Sequence, residues 1–176
     1  IVHKLIHFKP FQTIKVPPLQ KQTEAMADVF GMALDDYQKG EHTEDIKTYS
    51  SLDEEDVIPV PYLFRTFDEM PLVEQKALQR ARGKILDIGA GAGSHALYLQ
   101  NKGYKVTALD NSEGCIAVCK ERGVESTVLS NILDYSEERY DTLLLLMNGI
   151  GLAGKLKNLS RFLQHLASLL EINPNL

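Results

Sequence analysis

The sequence predicts an α/β fold built on a parallel sheet, and three observations carry that prediction. The hydrophobic period changes at Gly83, beyond which short apolar runs alternate with segments of helical spacing. Two of those helical segments close on glycines, Gly103 and Gly123, as helices that return to a sheet commonly do. The first apolar run, Lys84 to Ile88, leads straight into a glycine-rich turn that opens a helix.

Before Gly83 the spacing predicts a mostly helical region. Ile1 to Phe11 has strand composition, but Pro10, Pro17 and Pro18 favour an extended arm over residues 1–20. Gln22 to Gln38 carries Met26, Val29, Phe30 and Leu34 at helical spacing, with Gly40 as its stop. The acidic run Asp53-Glu54-Glu55-Asp56 reads as a solvated loop or helix start. Val57 to Tyr62 is expected to be extended, because Pro59 and Pro61 each restrict the residue before them. A helix follows Pro71, with Leu72, Val73, Ala77 and Leu78 assigned to one face. Residues 1–83 thus form an N-terminal arm and helical lid region, and 84–176 a second domain.

In that second part the expected elements are strands at Lys84–Ile88, Tyr104–Leu109, Ser126–Leu129 and Tyr140–Met147. The last contains four consecutive leucines and reads as buried on both faces. Helices are expected over Ser94–Lys102, from the N-cap Ser112 to Arg122, and over Leu156–Leu170, where leucines and Phe162 recur at i, i+3, i+4 and i+7.

Composition narrows the function. The net charge is −5, with 10 basic and 14 acidic residues up to Gly83 and 9 and 10 beyond it. Such a balance provides no broad cationic surface, which disfavours nucleic acid as a partner. Cys115 and Cys119 stand one helical turn apart without a second Cys/His pair, which makes them apolar helix positions rather than half a metal site; no metal is expected. With no disulfide framework, leader-like segment or membrane-length apolar run, a cytoplasmic location is expected.

The chemistry concentrates in Asp87-Ile88-Gly89-Ala90-Gly91-Ala92-Gly93-Ser94. Gly89 and Gly91 let the backbone turn sharply and remove side chains where a ligand must approach, while the helix beyond offers free N–H groups. Asp110 ends the second strand 21 residues after Gly89, where a carboxylate can accept both hydroxyls of a ribose. Asp87 discriminates between cofactors. It would repel the pyrophosphate of a dinucleotide, but suits S-adenosyl-L-methionine, whose sulfonium and amino group are cationic.

Lys84 to Ser94, with Val106-Thr107-Ala108-Leu109-Asp110-Asn111-Ser112, closely resembles motif I and the following acidic motif of the class I, Rossmann-like, S-adenosylmethionine-dependent methyltransferases. The resemblance covers about Lys84 to Leu170. It implies that Gly89, Ala90 and Gly91 pass beneath the methionine moiety, that Asp110 holds the ribose and that Asn111 lies by the adenine. By topology it adds Asn131 and Ile132 at the adenine, and Met147, Asn148 and Gly149 at the methionine end. In similar enzymes an N-terminal segment closes over the cofactor, which makes Arg65, beside Tyr62, a candidate for its carboxylate. His95 is weighed between ligand contact and local packing; His3, His7 and His42 are expected to be exposed, and His165 to lie on the polar face of the last helix.

The implied activity is methyl transfer to an unidentified, small-molecule acceptor. No catalytic base is assigned, because displacement at a sulfonium mainly requires alignment and exclusion of water. Met147-Asn148-Gly149-Ile150 lacks the Asp/Asn-Pro-Pro-aromatic run of amino-group DNA methylases. The family sheet has seven strands and only four are legible, so the chain is expected to stop about four strands in. The fourth strand would then offer an open edge for self-association. The alternatives are a non-catalytic cofactor-binding or interaction module and a nicotinamide-dependent oxidoreductase.

Overall fold

The computed structural model describes residues 5–6, 28–41, 44–49 and 55–171. Elements run in the order β1 (Leu5–Ile6), α1 (Val29–Gln38), β2 (Ile46–Tyr49), β3 (Glu55–Ile58), α2 (Val60–Leu63), α3 (Leu72–Arg80), β4 (Lys84–Ile88), α4 (Ser94–Asn101), β5 (Lys105–Asp110), α5 (Glu113–Glu121), β6 (Thr127–Leu129), β7 (Thr142–Leu144) and α6 (Leu159–Ser168). Short 3₁₀ turns cover Phe67–Glu69, Gly149–Ala153 and Leu156–Asn158.

The four strands from β4 onward form one parallel sheet in the order β6-β5-β4-β7, with Ile85 opposite both Val106 and Thr142. This is the α/β architecture the sequence predicts. Parallel pairing demands crossovers, and α4 and α5 supply them between β4, β5 and β6. One core lies between the sheet and α4, built from Ile85, Ala96, Leu99, Val106 and Ala108. A second lies beneath α6, from Leu86, Ile88, Leu109, Tyr140, Phe162, Leu166 and Leu169.

The N-terminal region is helical, and also contains a small antiparallel sheet, β1-β2-β3, that the pattern reading did not anticipate. Leu5 and Ile6 of the expected extended arm pair with Tyr49 and Thr48. The described part of the acidic run, Glu55 and Asp56, belongs to β3 rather than to a loop or helix start; it pairs opposite Tyr49 and Thr48, which outweighs its charge. Val57 and Ile58 are extended as expected, but Val60 to Leu63 is helical. Pro61 falls in the first turn, where a missing N–H costs nothing, and Asp45 Oδ1 accepts the Val60 N–H at 3.0 Å.

Four further expectations shift. In α3 the apolar pair Leu72 and Val73 is 64% and 73% exposed, while Glu74 and Leu78, four residues apart, face inward. The fourth strand spans only Thr142–Leu144; Tyr140 instead makes a parallel bridge with Leu170. Helix α6 begins at Leu159, leaving Leu156 exposed. His165 is half-buried, its Nε2 2.7 Å from the Ile132 carbonyl, rather than on a polar face. Cys115 and Cys119 are buried on α5, where burial pushes both thiols up. The expectations for His3, His7, His42 and residues 22–27 lie outside the described residues.

Helix α1 ties the two parts together. It packs across α5 with Gly31 against Gly114, so closely that a Cβ on Gly114 would meet the Gly31 backbone at 2.7 Å. Ala33, Leu34, Ile46, Val60 and Leu63 of the N-terminal region share a core with Ala92, Cys115 and Val118.

Candidate functional site

The site forms at the carboxyl ends of β4, β5 and β7, the place where open parallel sheets present ligands. After β4 the chain reverses through Gly89 and Gly91, with φ of +73° and +55°, a region that costs side-chain-bearing residues free energy. The N–H groups of Gly89 and Ala90 both donate to the Leu109 carbonyl, at 2.8 and 3.1 Å, which pins the turn to the end of β5.

Asp110 completes that link. Its Oδ2 accepts the Gly91 N–H and its Oδ1 the Ser112 N–H, each at 3.0 Å. Burial pushes its carboxyl above the ordinary aspartate range, and these backbone donors pull the other way. The side chain is therefore aimed by its neighbours before any ligand arrives.

Two adjoining cavities meet at Ile88, Gly89 and Asp110. The larger, about 450 Å³, contains Asp87, Gly89, Ala90, Gly91, Asp110, Met147, Asn148 and Arg65 in its walls. The smaller, about 270 Å³, is bordered by Asn111, Asn131 and Ile132 together with Gly89 and Asp110. Of the residues singled out in the sequence as cofactor contacts, all but Gly149 line one or other cavity. Gly149 lines neither; it is buried, packed against Leu145.

The larger cavity holds a buried polar cluster. Asp87, 1% exposed, has an Oδ2 without a hydrogen-bond partner among the described residues. Burial pushes its carboxyl upward, the nearby His95 lowering it only in part. Arg65 pairs with the buried Glu74, donates to the Tyr62 carbonyl at 2.6 Å and reaches Met147 Sδ at 3.1 Å. Its guanidinium lies 4.1 Å from the Tyr62 ring centroid, while its Nε is left without a partner among the described residues. His95 Nε2 stands 3.1 Å from the same Glu74 oxygen, so His95 both lines the cavity and packs locally. Met147 and Asn148 adopt φ of +50° and +67°, strained values that turn the chain away from β7 at the cavity wall.

The sequence reading missed Glu74, Phe30 and the wall formed by Asp56 to Pro59. Glu74 left one trace: it stands four residues before Leu78, a charged residue on what becomes the inward face of α3. Phe30 and Asp56–Pro59 reach the cavity through long-range packing, which leaves no local pattern.

A methyltransferase-domain family model matches residues 85–173. Among solved structures, a SAM-dependent methyltransferase from Bacteroides fragilis, in complex with S-adenosyl-L-homocysteine, is 41% identical with a TM-score of 0.77. The match covers 82% of this chain and 61% of that one. An amino pentose methyltransferase from Micromonospora echinaspora with SAM bound is 17% identical, TM-score 0.48, covering 63% of this chain and 49% of that one. A plantazolicin methyltransferase in complex with SAH is 24% identical, TM-score 0.44, covering 56% and 39%. The chain therefore spans about three-fifths of the length of the first of these. No curated protein matches it.

Proposed function

The chain belongs to the methyltransferase-domain family, and on that premise we propose that the protein transfers a methyl group from S-adenosylmethionine to a small-molecule acceptor. The observation that carries this reading is the meeting of the two cavities at Gly89 and Asp110. In this reading a nucleoside occupies one side of that junction and an amino-acid moiety the other, with the Asp110 carboxylate between them.

The donor set fits the cofactor. Two residues of the larger cavity each carry a buried polar atom without a partner among the described residues: Asp87 Oδ2, an acceptor, and Arg65 Nε, a donor. Burying either without a partner is costly, and the ammonium and carboxylate of a methionine moiety would satisfy both. In this reading Asp87 faces the ammonium, directly or through water, and Arg65 the carboxylate. Asp110 takes the ribose hydroxyls, and Asn111, Asn131 and Ile132 surround the adenine. Gly89, Ala90 and Gly91 allow close backbone approach, and Met147 and Asn148 flank the methionine end.

When bound, S-adenosylmethionine supplies an electrophilic methyl group whose leaving group is a neutral thioether. The chain's own contribution is alignment and exclusion of water, since the cavity is roofed by Phe30, Pro59, Tyr62 and Leu63 from the N-terminal region. These residues support the role of 1–83 as a lid over the domain at 84–176. The cavity size suits a small acceptor, and the acidic balance argues against nucleic acid. Two unpaired cysteines suit the cytoplasm, and no helix among the described residues is long and apolar enough to cross a membrane. Beyond the bridge between Tyr140 and Leu170, the outer side of β7 has no strand partner among the described residues, and self-association along that stretch is part of this reading.

Isothermal titration with S-adenosylhomocysteine, with NADH as control, tests the cofactor class. Selective stoichiometric binding of S-adenosylhomocysteine is expected; binding of NADH instead, or of neither, would overturn the reading. Methyl-labelled S-adenosylmethionine with a panel of small amines, phenols and carboxylates then searches for the acceptor.

A further inference from the structure

Asp28 stands at the N-cap of α1, yet its carboxylate makes no hydrogen bond to that helix. An aspartate there would ordinarily accept from the N–H groups of its own first turn. Instead Oδ2 accepts the Gly114 N–H at 2.8 Å, and Oδ1 pairs with the Ser112 hydroxyl. Ser112 Oγ in turn accepts the Cys115 N–H at 3.0 Å. The start of α5 is therefore capped twice, once by its own serine and once by a residue 86 positions earlier in the chain.

The capped loop is the one that aims Asp110. The Ser112 N–H holds Asp110 Oδ1, and the Gly91 N–H holds Oδ2. Gly31 and Gly114 meet so closely that neither position has room for a side chain, so the carboxylate of Asp28 reaches the loop without spanning a gap. Phe30, two residues on, lines the larger cavity and approaches to 3.9 Å of the position a Cβ on Gly91 would take.

We propose that Asp28 is a positioning residue for the cofactor's ribose: by clamping Ser112 and Gly114 it fixes the Asp110–Ser112 loop, so that docking of α1 and binding of the nucleoside are thermodynamically linked. This rests on the cofactor reading above. The linkage runs in both directions, so a nucleoside that orders the loop also holds α1 against α5.

The test is isothermal titration of the wild-type protein, Asp28→Ala and Asp28→Asn with two probes, S-adenosylhomocysteine and adenosine. It is run at a temperature where circular dichroism shows all three fully folded. Loss of a helix cap carried through to the loop corresponds to about tenfold weaker binding. Asp28→Ala is expected to weaken both probes by that same factor, because both contain the ribose. Asp28→Asn, which retains an acceptor oxygen, is expected to recover part of the loss. In the wild type, S-adenosylhomocysteine should also slow amide exchange across Val29–Gln38. A merely structural role would lower the melting temperature and leave both affinities unchanged, which overturns the proposal. So does a loss confined to S-adenosylhomocysteine, which would place the effect at the methionine end. Wild-type protein that binds neither probe overturns the cofactor reading itself, and is distinct from wild-type binding that Asp28→Ala leaves intact.

Discussion

Asp110 Oδ2 accepts the backbone N–H of Gly91 at 3.0 Å, which joins the acid at the end of β5 to the turn that follows β4. The contact makes Asp110 a brace for the turn, beside the ribose contact proposed for it. Asp110→Ala is expected to weaken binding of S-adenosylhomocysteine by about 2–4 kcal/mol, the scale of two hydrogen bonds to a charged acceptor. Asp110→Asn, with one acceptor oxygen left, should fall between Ala and wild type. Titration calorimetry measures both, and unchanged affinity in the alanine variant would remove the ribose assignment.

Asp87 predicts a conflict between stability and binding. Burial raises its folded pKa above the unfolded value, so between those two values the folded state holds a proton that the unfolded state has released. The sign follows: its contribution to stability is greatest below the unfolded pKa and is lost as pH rises through the folded pKa. Asp87→Asn removes the buried, half-partnered charge and is expected to stabilise the ligand-free protein at pH 7 by about 1 kcal/mol. The gain should vanish at pH 3, where wild-type Asp87 is itself neutral. The same variant should bind S-adenosylhomocysteine more weakly. Denaturant titration at the two pH values, with and without ligand, reads both effects. A loss of stability at pH 7 would show that Asp87 is compensated in the free protein.

How much of this was legible in the sequence depends on the range of the interaction. Gly89 to Ser94 and Asp110 to Ser112 announce themselves because strand, turn and helix N-terminus are adjacent in the chain and each demands particular residue types. Asn131, Ile132, Met147 and Asn148 were reached only through topology, by counting strand ends. Glu74 and Asp28 were not reached at all. Both act on partners more than a strand–helix unit away or across a buried ion pair, where neither period nor spacing leaves a mark. The same limit explains β2 and β3. Their pairing is a register between two four-residue segments, too short to show a period of their own, one of which opens on the acidic pair Glu55-Asp56.

Glu74 lies between Arg65 and His95, and its removal tests how the larger cavity is held. The Arg65–Glu74 pair is buried on both sides, so deleting the acid strands a guanidinium in a low-dielectric wall. Glu74→Ala is expected to destabilise the fold by about 3–5 kcal/mol, the usual cost of breaking a buried pair from one side. Replacing the Arg65 partner as well, in Arg65→Met/Glu74→Leu, should recover most of that loss because both charges then disappear. The double variant should nevertheless bind S-adenosylhomocysteine poorly, since the donor proposed for the carboxylate is gone. Thermal unfolding and calorimetry separate the two results. A double variant that binds normally would exclude Arg65 from the site.

Gly93 and Gly103 both have positive φ, +76° and +87°, but only Gly93 is enclosed. A Cβ at Gly103 would meet nothing within 4 Å, so Gly103→Ala carries the backbone penalty alone, about 1 kcal/mol. At Gly93 the same atom would stand 2.9 Å from Cys119 Sγ and 3.0 Å from Val124 Cγ2, both within the core beneath α4 and α5. That crowding adds the cost of an overpacked interior, so Gly93→Ala is expected to lose about 2–5 kcal/mol in total. The pair therefore separates conformation from packing at two glycines of similar φ. Equilibrium unfolding in urea gives both values. If Gly93→Ala cost no more than Gly103→Ala, then Cys119 and Val124 would have yielded to the methyl group. In that case adding Cys119→Ala should not raise the stability of Gly93→Ala; if the crowding is real, the double variant should recover part of the loss seen in Gly93→Ala.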